Sequence, residues 1–241
     1  MHFQVPGDPH PWPRDAGTAS SACAVVVVDM QEDYCSPGYY MDRAGYDTKR
    51  LREPVERIQR VLSAARRNGL HVVYTRHGRA PESDSSQTID EEPGMAPAAG
   101  PKTAARGEPG WRIVPELLPD AYDTVIEKST CSAFVSGELD RILRSKGVRH
   151  LAFCGNTIDV CVHSTLRAAV DLDYECLLLG DCCGAVNNGL HTWAIESVKI
   201  ENGVFGTVAN AAAFLDALVA ALPNEPEGSA ECVRSNPKNR S

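Results

Sequence analysis

The sequence predicts an α/β fold: a single-domain, doubly wound, mostly parallel six-stranded sheet with helices on both faces. Three observations carry this. Short apolar runs recur and end in a polar residue or glycine, as strands buried on both faces do. Stretches with helical spacing separate them, and several close on a glycine stop. Strand then helix, repeated about six times, is the order that an open parallel sheet covered on both sides requires. At 241 residues the chain suits one such domain with a full core and is short for two.

Taken in order, residues 1–22 read as an N-terminal extension, without the basic and apolar regions of a leader. The first strand is CAVVVVDM (23–30), followed by a helix in LREPVERIQRVLSAARRNG (51–69) and a strand in LHVVYTR (70–76). Residues 77–110 are rich in Pro, Gly, Ser and charge and show no sustained period, which leaves two readings, a lid loop over a site or a disordered loop. The third strand is YDTVIEK (122–128), with a helix in SGELDRILRSKG (136–147) leading to the strand RHLAFCG (149–155). A helix in DVCVHSTLRAAVDLD (159–173) and the strand YECLLLGD (174–181) come next. HTWAIESVKIENG (191–203) is helical, GVFGTV (203–208) is the last strand, and NAAAFLDALVAAL (210–222) the last helix. The domain therefore spans 23–222. Residues 223–241 form a C-terminal tail of disorder-prone composition, which could also serve as an arm on another subunit.

Twenty-four Lys and Arg against 32 Asp and Glu give a net charge of −8, and no basic run stands out. A nucleic-acid or anionic-membrane partner is therefore not expected, and a small-molecule substrate is. No stretch approaches the roughly 20 apolar residues of a membrane span, so a cytoplasmic location is expected. The nine cysteines are an odd number in a chain too large to need stapling. Cys23, Cys154 and Cys176 sit in apolar runs, where a thiol behaves as a small hydrophobe. Cys182 and Cys183 lack a second Cys/His pair at zinc spacing.

In a parallel sheet the ligand crevice lies beyond the carboxyl ends of the strands. Asp29 closes the first strand, Lys128 closes the third, and Cys161 follows the fourth after a short turn. Residues far apart in sequence thus meet on one edge. A cysteine near a helix start and beside an ammonium is expected to be a thiolate, which makes Cys161 the expected lone fast-reacting thiol. Asp29 is the candidate to take its proton and return it to a leaving amine. Each residue alone has a plain structural reading: a turn cap, a solvated lysine, an inward-packed thiol. Their joint placement argues for a site.

The segments VVVVDMQEDYC, VIEKSTCSAF and CGNTIDVCVHSTLRAAVDLDYECLLLGDCCGA resemble the isochorismatase-like cysteine hydrolases. That family pattern is an Asp in D-x-Q after the first strand, a Lys after the third, and Cys-Val opening the next helix, met here by Asp29 with Gln31, Lys128, and Cys161 with Val162. PHPWP, GYYMDRAGYD, RGEPGW and VKIENGVFG are similar to the biuret hydrolase and ureidoacrylate amidohydrolase branch. The resemblance implies a catalytic triad of Asp29, Lys128 and Cys161, and an oxyanion hole from the N–H groups of Thr157 and Cys161 beside a cis Asn156–Thr157 bond. It further implies Gln31, Tyr34, Phe134 and Glu201 as substrate neighbours, and no metal or organic cofactor.

Two departures refine this. The nicotinamidases of the superfamily hold a metal through Asp-x-His after the second strand, whereas YTRHGRAP offers only His77, which reads as a polar loop residue. Members lacking the cysteine cleave an enol ether, so Cys161 favours C–N cleavage. The branch also carries glutamine where this chain has Glu201, and a basic residue near Cys131. Two readings of Glu201 follow: a pocket carboxylate selecting a cationic substrate, or a solvent-facing residue at a helix end. The implied activity is cysteine-dependent hydrolysis of a small amide or ureide such as biuret or a guanylurea-like analogue. A cationic lactam of the streptothricin type, or a non-catalytic binding member of the fold, are the alternatives. The resemblance also implies a homo-oligomer, a tetramer or dimer, with DCCGAVNNGLHTW (181–193) at a contact.

Overall fold

A computed structural model describes residues 1–78 and 106–221. Most of the expected lid, and all of the expected tail, lie outside the described residues. Strand β1 (Cys23–Val28) is buried at every position. Alternation along it sends Cys23, Val25 and Val27 to one core and Ala24, Val26 and Val28 to the other. That is why the run carries no polar half.

Around β1 lie β2 (His71–His77), β3 (Thr124–Lys128), β4 (His150–Gly155), β5 (Glu175–Cys183) and β6 (Thr207–Ala209). The sheet order is β3-β2-β1-β4-β5-β6, and every pairing between these strands is parallel. Register sets Val28 beside Thr75 and Gly155, and His77 beside Lys128, so the carboxyl ends are level. The winding reverses between β1 and β4, where a doubly wound sheet opens its crevice. Helices α4 (Val55–Arg67) and α8 (Ala211–Ala220) cover one face through Ile58, Val61, Phe214 and Leu218. Helices α5 (Glu138–Ser145), α6 (His163–Asp171) and α7 (Asn188–Gly203) cover the other through Leu139, Leu143, Leu166 and Val198. Each such fully buried aliphatic side chain contributes about 1.5–3 kcal/mol.

The structure adjusts several sequence boundaries. The helix expected over 51–69 is two, α3 (Thr48–Arg52) and α4, parted at Pro54, whose ring cannot donate to a continuing ladder. The helix expected from 159 opens as a π-helical turn, Ile158–Val162, before α6. The strand expected over 203–208 begins only at Thr207, because Gly203 and Gly206 turn the chain at φ 87° and 132°. Two short helices, α1 (Glu32–Cys35) and α2 (Tyr40–Arg43), had too few turns to show a period.

The first 22 residues pack on the domain. Phe3, Val5 and Trp12 are buried in the core under α4 and α8. The Trp12 ring meets Phe3 edge-on at 6.0 Å and Phe214 at 6.4 Å, and its Nε1 donates to the Glu175 carbonyl at 3.2 Å. Asp8 bridges to Val208 of β6 in antiparallel sense. Among the described residues no helix is long and apolar enough to cross a membrane.

Candidate active site

Asp29 follows β1 with a left-handed backbone, φ 47°, an uncommon state for a residue with a side chain. Strain of this kind costs about 1–3 kcal/mol and persists where neighbours impose it. Thr75 of β2 is that neighbour. The Asp29 N–H donates to the Thr75 carbonyl and hydroxyl, each at 3.2 Å, and the Thr75 hydroxyl donates to Asp29 Oδ1 at 2.6 Å. Lys128, the last residue of β3, brings Nζ to 2.6 Å from Asp29 Oδ2 and donates to the Thr130 carbonyl at 3.0 Å. Both side chains are almost wholly buried. Burial opposes the lysine charge, but Asp29 and Cys161 outweigh it and raise the ammonium pKa.

Cys161 arrives from the end of β4. Gly155 there has φ 117°, and a Cβ on it would drive into the Val28 carbonyl, so only glycine lets β4 lie this close to β1. The next bond, Asn156–Thr157, is cis. Asn156 donates from its N–H to Val28 O at 2.8 Å and from Nδ2 to Leu51 O at 2.9 Å and Cys35 Sγ at 3.1 Å. The Thr157 carbonyl then accepts the Val160 and Val162 N–H groups at 3.1 Å each. The Thr157 and Cys161 N–H groups are not used in those two bonds. This turn sets the Cys161 side chain beside Asp29 and Lys128, close enough for each to shift its ionisation.

A second thiol stands there. Cys131 is exposed in the loop after β3 and its thiol interacts with that of Cys161. That interaction pulls the Cys131 thiol down to about 6, with help from Lys128 and against partial burial. Cys161 moves the other way: Cys131, burial and the Asp29 charge raise it and outweigh Lys128. Beside the expected nucleophile Cys161, Cys131 is thus a second candidate for a fast thiol. A base is needed to ionise Cys161, and Asp29 is in place. Burial pushes Cys23 and Cys35 up to about 12.

An isochorismatase domain model matches residues 23–213, which takes in all six strands and each of these groups. The chain belongs to the isochorismatase family. Among curated relatives, the ureidoacrylate amidohydrolase of Caulobacter segnis is 35% identical over 191 residues, 73% of this chain and 77% of its own. That of Acinetobacter baylyi is 32% identical over 221 residues, 85% and 86% of the two chains. A cysteine hydrolase structure from Pseudomonas syringae pv. phaseolicola superposes with a TM-score of 0.73 at 26% identity, covering 91% of this chain and 98% of that one.

Within this isochorismatase-family site the other expected residues fare differently. Tyr34 is brought to it: burial, then the Asp29 and Cys161 charges, hold its phenol protonated. Three placements need correction. Gln31 is fully buried, with Nε2 donating to the His77 and Trp111 carbonyls at 2.9 and 3.0 Å and Oε1 accepting the His77 N–H at 2.7 Å. It ties β2 to the segment after the loop and has no amide proton left for substrate. Phe134 is buried against Tyr174, ring centroids 5.7 Å apart. Glu201 is exposed near the far end of α7, which starts after the carboxyl end of β5 and runs back toward the start of β6. Its neighbours Lys199 and Gly203 meet Asp8, Pro9 and His10 of the N-terminal segment, away from the crevice. The single chain thus supports the solvent-facing reading of Glu201. His77 closes β2, its main chain held by Gln31.

Sequence reasoning missed Thr75, Cys131 as a neighbour, and Thr165. The Thr165 hydroxyl, fully buried on α6, donates to Cys161 O at 2.7 Å, lies 3.5 Å from Cys131 O, and accepts the Ala133 N–H at 3.2 Å. A polar residue inside the apolar run VVYT was the available signal for Thr75.

Proposed function

We propose that the chain is a cysteine-dependent amidohydrolase that cleaves the C–N bond of a small ureide through a thioester. It is a hydrolase acting on carbon–nitrogen bonds other than peptide bonds. The observation that carries this reading is the buried Asp29–Lys128 pair, 2.6 Å apart, in contact with the Cys161 thiol at the carboxyl edge of the sheet. Asp29 takes the thiol proton as sulfur adds to the carbonyl carbon, and Lys128 holds the carboxylate in place and offsets its charge. The oxyanion is received by the Thr157 and Cys161 N–H groups. Asp29 returns the proton to the departing amine or ammonia, then takes one from water, which adds to the thioester and releases Cys161. Tyr34, neutral, borders the substrate.

Ureide selectivity is supported by the curated relatives, which are named for ureidoacrylate. A guanidinium substrate rested on a pocket carboxylate at Glu201, and that support is withdrawn. The enzyme acts as a homo-oligomer. The test is ammonia release from a panel of ureidoacrylate, biuret, guanylurea and simple amides, with Cys161→Ser alongside. The expected result is turnover of a neutral or anionic ureide and a loss of at least about a thousandfold in Cys161→Ser. Turnover that survives Cys161→Ser removes the thioester route, and silence across the panel favours a non-catalytic binding member.

A further inference from the structure

The thiol pair at the site has a feature that hydrolysis does not use. Cys161 is accounted for as nucleophile, a role that rests on the reading above, but Cys131 takes no part in that chemistry. Both side chains lie near Asp29 and Lys128, and each shifts the ionisation of the other. Their main chains are fixed to one hydroxyl, Thr165 Oγ1, which donates to the Cys161 carbonyl at 2.7 Å and lies 3.5 Å from that of Cys131. The Ala133 N–H closes the clamp on the same oxygen at 3.2 Å. Cys131 is exposed, whereas Cys23, Cys35, Cys154, Cys176, Cys182 and Cys183 are buried. Cys182 and Cys183, though adjacent in sequence, point into opposite cores and cannot pair.

We propose that Cys131 and Cys161 are a site of reversible oxidation, closing to an intramolecular disulfide under peroxide and thereby switching the enzyme off. The Cys131 sulfur attacks one oxygen of hydrogen peroxide, the O–O bond breaks, and Cys131 becomes a sulfenic acid as the first water leaves. The Cys161 sulfur then attacks the Cys131 sulfur, the S–S bond forms, and the S–O bond breaks. The second water carries off the hydroxyl with the Cys161 proton. Two thiols have lost two electrons in all, and one peroxide has become two waters. Lys128 supports both steps by stabilising negative charge on sulfur, and its charge helps to lower the Cys131 thiol. While the bond stands, Cys161 cannot attack a carbonyl. A dithiol reductant restores both thiols.

The experiment treats the full-length enzyme with hydrogen peroxide, quenches free thiols with an alkylating agent, and maps peptides by mass, with activity followed on the same samples. The wild type is expected to yield a linked pair of the Cys131 and Cys161 peptides, two hydrogens lighter than their sum. Its ammonia release should fall at least about tenfold and return with dithiothreitol. Cys131→Ser, referred to its own untreated rate, should show neither the linked pair nor a dithiothreitol-reversible loss. Only sulfinic acid or intermolecular links in the wild type would overturn the proposal. So would the linked pair with full activity, or a reversible loss unchanged in Cys131→Ser. Untreated Cys161→Ser decides the nucleophile separately: its activity would refute the thioester reading, whereas the peptide link is read by mass alone.

Discussion

Neither Asp29 nor Lys128 is tolerable alone. Their side chains are only 1% and 3% exposed and stand 2.6 Å apart, so each charge offsets the other. Lys128→Met is therefore expected to lose about 3–5 kcal/mol in urea denaturation, since it strands a buried carboxylate. Adding Asp29→Asn should recover part of that loss while leaving hydrolysis abolished. A double variant no more stable than Lys128→Met would deny that the pair is coupled. The thiols give a second test. Because Cys131 is lowered to about 6, its iodoacetamide labelling should rise through about pH 6 and precede that of Cys161, whose surroundings raise it. First labelling of Cys161 would contradict the arrangement. Asp29, Lys128 and Cys161 were legible in the sequence because strand ends are legible, and topology brings strand ends together. Gln31, Phe134 and Glu201 were not, because what occupies them is distant in sequence: His77 and Trp111 for the first, Tyr174 for the second. For Glu201 it is the course of α7 past Asp8 and His10.

At the scale of elements, legibility followed period. β1 and β4 announce themselves because both their faces are buried, and α4 because one of its faces is. Short α1 and α2 have no room for a period, and the π-helical turn looks like the start of α6. The N-terminal segment is the instructive case. It joins the core through isolated bridges and single side chains, a mode of packing that leaves no repeat in the sequence. Its contribution is measurable. Trp12 is fully buried against Phe3 and Phe214, so Trp12→Ala should cost about 3–5 kcal/mol. Thermal or urea unfolding checks this, and a cost below about 1 kcal/mol would make the segment a loose extension after all.

At the scale of the whole molecule, an apolar surface among the described residues stands uncovered next to the site. Val160 of the π-helical turn and Trp193, Ile200 and Val204 along α7 are 43%, 54%, 52% and 46% exposed. Trp193 also stacks on His163, ring centroids 5.4 Å apart, two residues after Cys161. Large apolar side chains running from beside the site along α7, with Glu196 and Lys199 among them on the same helix, have the composition of an interface core with a polar rim. The proposed homo-oligomer gives that surface a partner, a second copy of the chain, and extends the contact expected over residues 181–193 farther along α7. Light scattering after size exclusion should return a dimer or tetramer for the wild type. Trp193→Asp should weaken it, because an anchoring tryptophan replaced by a charge costs at least about 2 kcal/mol per contact. That is about thirtyfold in the dissociation constant, enough to bring out monomer on dilution. A wild-type monomer at working concentration would refute the oligomer. An oligomer unmoved by Trp193→Asp would retain the assembly and place its contact elsewhere.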